Sequence, residues 1–427
     1  MKKIILNAKN LSLLLSVLIV CGFASCKKMN SLGFTPGTGA PAITLVRTLS
    51  QSVVDSSRVS TLTTYNSAGV ATITTNPNYA PLITAFDSTT ATGKLGNYYV
   101  LVGSNLGSTT KIAVNGVSIY FNRALSSDSH VIFQIPTSVP YVQPQANTIV
   151  VTTLYGSVTY KFTTLPPPPT IVTLSDYDFT AGSQITLTGK GFASVSAIKL
   201  RQTGDAVTIA SQNDSTLVLT MPTSTATEST LLFTYTSGSN PSAQTASTVT
   251  FNDLDNAYQI MVNNNLQNGW FNNSWSYPSG VSTSASHSGT SSFQMNYPAG
   301  AWQVEGIADW NTPGKFAYDP SYKFLTFWIK GGTATHTLTL VGDQMVGGYG
   351  QVQVANGYTA QAITVPANVW TFFKIPLAPP STPFSKTATA LNFWANGTPA
   401  QQLGFFLQGM PGDVNEVLYF DEMAFLK

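Results

Sequence analysis

From residue 41 onward the chain shows almost no apolar repeat of helical period; its hydrophobic residues come in short alternating runs closed by Gly, Pro or Asn. Tyr98-Tyr99-Val100-Leu101-Val102, Val131-Ile132-Phe133-Gln134-Ile135 and Thr148-Ile149-Val150-Val151 are such runs. Successive strand side chains point to opposite faces, so this pattern builds sheets with one face buried and one wetted. The expected class is therefore all-β, made of sandwiches joined by turns. The run Pro166-Pro167-Pro168-Pro169 interrupts the pattern once, and four prolines form a stiff extended segment that no helix or sheet interior accepts. A domain boundary is expected there. The reading that follows is a tether at 26–40, a first domain at 41–165, a second at 166–251 and a C-terminal sandwich at 252–427.

The N-terminus carries Lys2 and Lys3, the apolar run Leu11 to Val20, and then Phe23-Ala24-Ser25-Cys26. This run is too short to cross a bilayer as a helix and ends in small residues before a cysteine. Residues 1–25 read as a signal peptide cleaved before Cys26, the residue that would carry the lipid; Val20, being branched, makes Cys21 the poorer acceptor. Cleavage removes Cys21, which leaves one cysteine and no internal disulfide. It also removes Lys2, Lys3 and Lys9, leaving 17 basic against 18 acidic side chains. No basic footprint for nucleic acid remains. Charged residues are 9% of the chain, against roughly 25% in ordinary soluble proteins. Ser, Thr, Asn and Gln take their place.

Two segments repeat one order of features. The first has Ala80-Pro81-Leu82-Ile83-Thr84, Val102-Gly103-Ser104-Asn105-Leu106-Gly107, Gln134-Ile135-Pro136 and a strand ending at Phe162; the second has Pro169-Thr170-Ile171-Val172, Leu187-Thr188-Gly189-Lys190-Gly191-Phe192, Thr220-Met221-Pro222 and a strand ending at Phe251. In both, a strand runs into a G-x-x-[FL] turn that sends one large apolar residue into a core. This order resembles the IPT/TIG immunoglobulin-like domains, and Ile43-Thr44-Leu45-Val46-Arg47 resembles the first strand of the leading one. A stretch of about 40 residues, Thr48 to Asp87, is inserted after it. Beyond Asn252, His287-Ser288-Gly289-Thr290-Ser291-Ser292-Phe293-Gln294-Met295, the run Leu325 to Gly331, the run Trp370 to Leu377 and Leu418 to Met423 resemble, in order, landmarks of carbohydrate-binding jelly rolls. As a whole the chain resembles the surface glycan-binding lipoproteins of Bacteroidetes-type polysaccharide-utilisation systems. The resemblance implies an outer-membrane, lipid-anchored protein at the cell surface that holds a polysaccharide, without turning it over, for an outer-membrane glycan transporter and glycosidases. Lys27-Lys28-Met29-Asn30 departs from that pattern, since it lacks the acidic residues often associated with export to the outer leaflet. Two other classes compete: a lipid-anchored polysaccharide-degrading enzyme, and an outer-membrane adhesin or structural protein with every tryptophan buried.

No nucleophile with a base, catalytic carboxylate pair or metal-ligand spacing stands out, so no catalytic residue, metal or cofactor is expected. His130, His287 and His336 sit beside Ser or Thr and read as surface histidines. Glu305 and Asp309 flank Gly306 between Trp302 and Trp310, but four residues of strand span roughly 13 Å, too far for an acid/base pair without a bend. Asp421 resembles a position that helps hold structural calcium in some related jelly rolls, with Asp253 or Asp255 as partners, and equally an ordinary hairpin aspartate.

All seven tryptophans lie between Trp270 and Trp394. Indole rings offer wide apolar faces at small entropic cost, and neutral hydrogen-bonding neighbours suit a hydroxyl-rich, uncharged ligand. Trp270, Trp275, Trp302 and Trp310 lie in Gly-, Asn- and Pro-rich surroundings and are the candidate stacking rings, with Asn273, Gln294, Asn296 and Gln303 as hydroxyl partners. Trp370 reads as core. Trp328 points away from Leu325, Phe327 and Ile329, toward a sugar or a second protein layer, and Trp394 with Asn392 is expected on the exposed side of an amphipathic strand.

Overall fold

The computed structural model describes residues 34–53, 59–65, 71–77, 82–85, 87–238, 240–275, 278–310, 316–349, 362–380, 389–410 and 412–427. The leader and Cys26 lie outside the described residues. Among these residues the regular elements are strands, apart from single 3-10 turns at Phe192–Ser194 and Leu254–Asn256. The all-β expectation holds. The described residues divide at the proline run into two compact units, one of those up to 167 with those of 237–241, the other of those from 168 to 236 and from 242 on.

The first unit packs two four-stranded sheets. One is ordered Ala42–Thr48, Tyr98–Ser104, His130–Gln134, Phe121–Ser126; the other Gly156–Lys161, Thr148–Thr153, Thr109–Val114, Val117–Ile119. Val46, Leu101, Leu106, Ile112, Phe133, Ile149 and Phe162 fill the space between them. Within the Thr48–Asp87 insertion, Ser50–Val53 pairs with Leu82–Ala85 and Val59–Tyr65 with Ala71–Pro77. At the ends of the insertion, Arg47 donates to both carboxylate oxygens of Asp87 at 2.5 and 2.7 Å.

The second unit begins with the domain that repeats this plan, and one steric detail is common to both copies. In the first, Ala42–Thr48 pairs with Tyr98–Ser104 through a bulge between Ile43 and Leu45; in the second, Thr170–Leu174 pairs with Gln184–Lys190 through a bulge between Ile171 and Thr173. At each bulge the opposing glycine leaves no room for a side chain: a Cβ on Gly103 would lie 1.9 Å from the Ala42 carbonyl oxygen, and one on Gly189 1.9 Å from that of Thr170. Three residues on, Leu106 and Phe192 are both fully buried. The G-x-x-[FL] signature thus records a backbone crossing followed by a core anchor.

The C-terminal sandwich has a sheet built on the closing strand Glu416–Leu426, which pairs with Tyr258–Val262, Ser292–Tyr297 and Phe324–Lys330. The facing five-stranded sheet is ordered Phe271–Asn272, Trp302–Ala308, Gln402–Gln408, His336–Val341, Ala362–Val365. Phe293, Met295, Leu325, Phe327, Leu338, Leu340, Leu403, Phe405 and Phe420 form the core between the sheets. Trp394 corrects the exposed-strand expectation. It lies in a turn, is 0% exposed, and packs against Phe316, Tyr318, Phe393 and Phe425.

Candidate functional site

Alternation along the five-stranded sheet sorts its residues into two faces. Ile307, Leu338, Leu340, Leu403 and Phe405 point into the core; Trp302, Val304, Gly306 and Ala308 therefore point outward, as do Gly404, Phe406 and Gln408. Val304, Val341 and Phe406 form a small apolar cluster on this outer side, with Tyr349 packed against it. The register sets Gly306 opposite Gly404. A Cβ on Gly306 would lie 3.0 Å from the Tyr349 hydroxyl, and one on Gly404 2.9 Å from its ring. The two glycines make a trough that seats the phenol. Tyr349 donates from its hydroxyl to the Asn273 carbonyl at 2.9 Å, and burial pushes its pKa above the usual phenol range, so it stays neutral.

Around this cluster the solvent-facing rings follow one strand. Trp302 begins it, 51% exposed, with its ring edge-on to Phe406 at 6.1 Å. Trp275, 52% exposed, is placed beside it because its backbone N–H donates to the Val304 carbonyl at 2.9 Å; its ring meets Tyr349 edge-on at 6.3 Å. Trp310, 47% exposed, follows the strand's far end, edge-on to Phe271 at 6.1 Å. Eight residues of extended chain separate Trp302 from Trp310, so the rings are spread over at most about 27 Å. No Asp, Glu, Lys or Arg points outward from the Trp302–Ala308 or Gln402–Gln408 strands.

Trp270 is corrected: it is 4% exposed and part of the core. Asn268 and Gly269 both take left-handed backbone conformations, at φ 54° and 83°, and the turn they form directs the next ring inward. Its indole N–H donates to the Tyr258 hydroxyl at 3.3 Å. Asn273 lies beside the rings, its N–H on the Gly306 carbonyl. Gln303 has the opposite parity to Trp302 and points to the inner side of the strand. Gln294 and Asn296 are corrected too. They alternate with core residues Phe293, Met295 and Tyr297 and so lie on the outer face of the other sheet, where Gln294 donates to Asn296 at 3.1 Å. Phe271, Tyr349 and Phe406 were missed. Adjacent Phe405 and Phe406 carried a signal, since neighbours in a strand cannot both face the core.

Glu305 and Asp309 are both 0% exposed. Glu305 points inward, where it accepts a hydrogen bond from Ser279, so neither carboxyl stands among the exposed rings. Of the histidines, His130 is exposed, but His287 and His336 are not free surface residues. His336 shares Glu416 with the Thr333 hydroxyl and the backbone N–H groups of Thr333 and Ala334.

Part of the outer face of the other sheet, around Trp328, is covered within the same unit. Trp328 points outward, as expected, and meets a second protein layer: its indole N–H donates to Asp176 of the preceding domain at 3.1 Å. Tyr177 stacks on Phe372 at 4.8 Å, and Lys374 donates to Glu228 at 2.7 Å and Asn252 at 2.9 Å. Trp370 is half-buried and packs edge-on to His287 at 5.6 Å, outside the main core. Asp421 is buried and accepts the backbone N–H groups of His287 and Ser288, while Asp253 caps the Leu254–Asn256 turn, so the two serve separate local roles.

Residues 169–252 match the model of the IPT/TIG domain family. A stretch of 118 residues is 30% identical to an IPT/TIG domain-containing protein of Bacteroides ovatus, covering 27% of this chain and 24% of that relative's length. Among solved structures the chain is similar to the surface glycan-binding protein PbSGBP-B from Prevotella bryantii, at 17% identity and a TM-score of 0.44, covering 92% of this chain and 99% of that one. It is also similar to SGBP-B from a complex xyloglucan utilization locus in Bacteroides uniformis, at 17% identity and a TM-score of 0.35, covering 78% and 96%.

Proposed function

We propose that this protein is a non-catalytic polysaccharide-binding protein that captures a neutral glycan on the outer face of its C-terminal five-stranded sheet. The observation that carries this reading is the row of half-exposed indoles, Trp302, Trp275 and Trp310, braced by Phe406, Tyr349 and Phe271 on a face whose strands turn no charge outward. Rings spaced along an extended strand suit an extended sugar chain, whose apolar faces stack while its hydroxyls meet neutral groups such as Asn273. Glycoside hydrolysis by a carboxyl pair would need both acids open to the sugar at such a site, and Glu305 and Asp309 are buried. The immunoglobulin-like domains serve as spacers in this reading, and lipid on Cys26 ties the chain to the outer membrane at the cell surface, beside a glycan transporter and glycosidases.

A native affinity-gel panel of neutral and acidic plant and microbial polysaccharides tests the proposal. Retardation by a neutral glycan, abolished in the Trp275→Ala/Trp302→Ala double variant, is the expected result. Release of shorter sugars from the retarding glycan would assign an enzyme instead, and retardation by no glycan would sink the reading.

A further inference from the structure

The junction inside the second unit gathers more buried acid than hydrogen bonding there requires. Asp176 follows the first strand of the second immunoglobulin-like domain, His287 lies in the turn before Ser292–Tyr297, and Glu422 belongs to the closing strand. One ligand atom from each lies within 4.8 Å of the others. His287 Nδ1 is 2.8 Å from Glu422 Oε2 and 3.5 Å from Asp176 Oδ2. We propose that Asp176, His287 and Glu422 bind one divalent cation of the zinc class, pinning the second immunoglobulin-like domain to the sandwich.

The parts around the three groups are set for such a role. Tetrahedral zinc with N and O ligands at about 2.0 Å places neighbouring ligand atoms about 3.3 Å apart. The His287–Asp176 spacing is close to that, and the shorter His287–Glu422 contact opens slightly when a metal replaces the shared proton. The imidazole is held flat on Trp328, with ring centroids 3.8 Å apart at 15°, and the turn bearing it is fixed by Asp421 accepting the His287 and Ser288 N–H groups. Glu422 adopts a left-handed backbone conformation at φ 50°, in a bulge where pairing steps from Thr326 opposite Ala424 to Trp328 opposite Asp421. A non-glycine residue held there is strained. The bulge aims its carboxyl at the imidazole.

A second observation points the same way. Asp178 is 1% exposed, and one of its carboxyl oxygens has no hydrogen-bond partner. Its other oxygen accepts from Asn252 at 2.6 Å, and its backbone N–H donates to Asp176 Oδ1 at 2.9 Å. Asp176, Asp178, Asp421 and Glu422 are all buried at this junction, while the nearby Lys374 is shared with Glu228 and Asn252. Buried carboxylates are costly unless a cation or a proton offsets them. One imidazole and two carboxylates are a ligand set that suits zinc. Calcium asks for six to eight oxygens and is disfavoured.

The test uses the full protein stripped with chelator, titrated with Zn2+ alone by calorimetry and melted with and without the ion; Co2+ serves as the optical probe. Expected are one ion per chain, the intense d–d absorption of a tetrahedral cobalt site and a melting temperature raised by several degrees. His287→Gln should weaken binding beyond the roughly 10- to 100-fold typical of losing an outer partner, while His336→Gln leaves it intact. Should His287→Gln misfold, Asp176→Asn decides the same point. Failure of the unmodified protein to bind Zn2+, equal loss in His336→Gln, unchanged affinity in folded His287→Gln or Asp176→Asn, or preference for Ca2+ would each overturn the proposal.

Discussion

The two sheets of the C-terminal sandwich turn the same kind of residue outward and put it to opposite uses. On the sheet of the closing strand, Trp328 points away from the core and is buried to 7% exposure under Asp176 and Tyr177. On the facing sheet, Trp302 also points away from its core and stays half open to water. The outer face that lies beneath the neighbouring domain carries Asp421, Glu422, His287 and Lys374; the other is neutral along its central strands. An outward tryptophan therefore says only that its strand has two apolar sides. The charges around it distinguish a face paired with polar protein groups from one open to a neutral ligand.

The largest effect expected is on the core, and it separates packing from stacking. Trp394→Ala should cost about 3–5 kcal/mol of stability, as large aromatic truncations in cores do, measured by chemical denaturation. Trp302→Ala should leave that stability within about 0.5 kcal/mol. If Trp394→Ala proves silent for folding and harmful to glycan affinity, the assignment of faces is inverted.

The same Trp302→Ala variant should weaken glycan binding by about 2 kcal/mol, roughly 30-fold, as expected of an aromatic hot spot. Trp328→Ala should leave affinity unchanged while lowering the melting temperature. Calorimetric titration of both variants with the retained glycan checks the pair. Loss of affinity in Trp328→Ala alone would move the site to the covered sheet.

Acid should strike the sandwich without touching the open face. Glu416 is buried, which by itself raises its pKa, but hydrogen bonds from His336 and Thr333 outweigh this and hold it below the ordinary glutamate value of 4.5. A depressed folded-state value means this stabilisation is present above the unfolded pKa and is lost as pH falls below about 4.5. Melting temperature should drop in that range, less steeply in Glu416→Gln. The affinity of still-folded protein should stay level from pH 8 to 5, as measured by calorimetry across that range.

The smallest change is expected with salt. Between 50 mM and 500 mM NaCl the glycan affinity should shift by less than about threefold, because stacking loses nothing to ionic screening. A tenfold loss would identify a charged ligand and overturn the neutral-glycan reading.

Much of the fold was legible because its signals are local. Alternation, the proline run and the G-x-x-[FL] turns follow from strand geometry and from glycine's missing side chain, so Gly103, Gly189, Leu106 and Phe192 read correctly from sequence. The Gly-, Asn- and Pro-rich surroundings of Trp275, Trp302 and Trp310 point to solvent, and these residues are half exposed. Trp270 shares those surroundings and is buried, because two left-handed residues before it reverse the chain, a choice that Asn-Gly permits without dictating which way the next ring turns. Trp394 failed for another reason: Leu391-Asn392-Phe393-Trp394 has a strand's alternation yet folds as a turn enclosed by rings from Phe316 and Phe425.

What the sequence determined by itself was each residue's place within its own element: strand or turn, inward or outward, glycine or not. What only the tertiary structure decided was what lies on the far side of each face. Asp176, His287 and Glu422 stand more than a hundred residues apart in sequence and converge through a domain junction and a bulge; Tyr349 reaches Asn273 across a glycine trough. Local periodicity carries no information about such partners, because the period of a strand fixes the direction of a side chain and not the layer it meets.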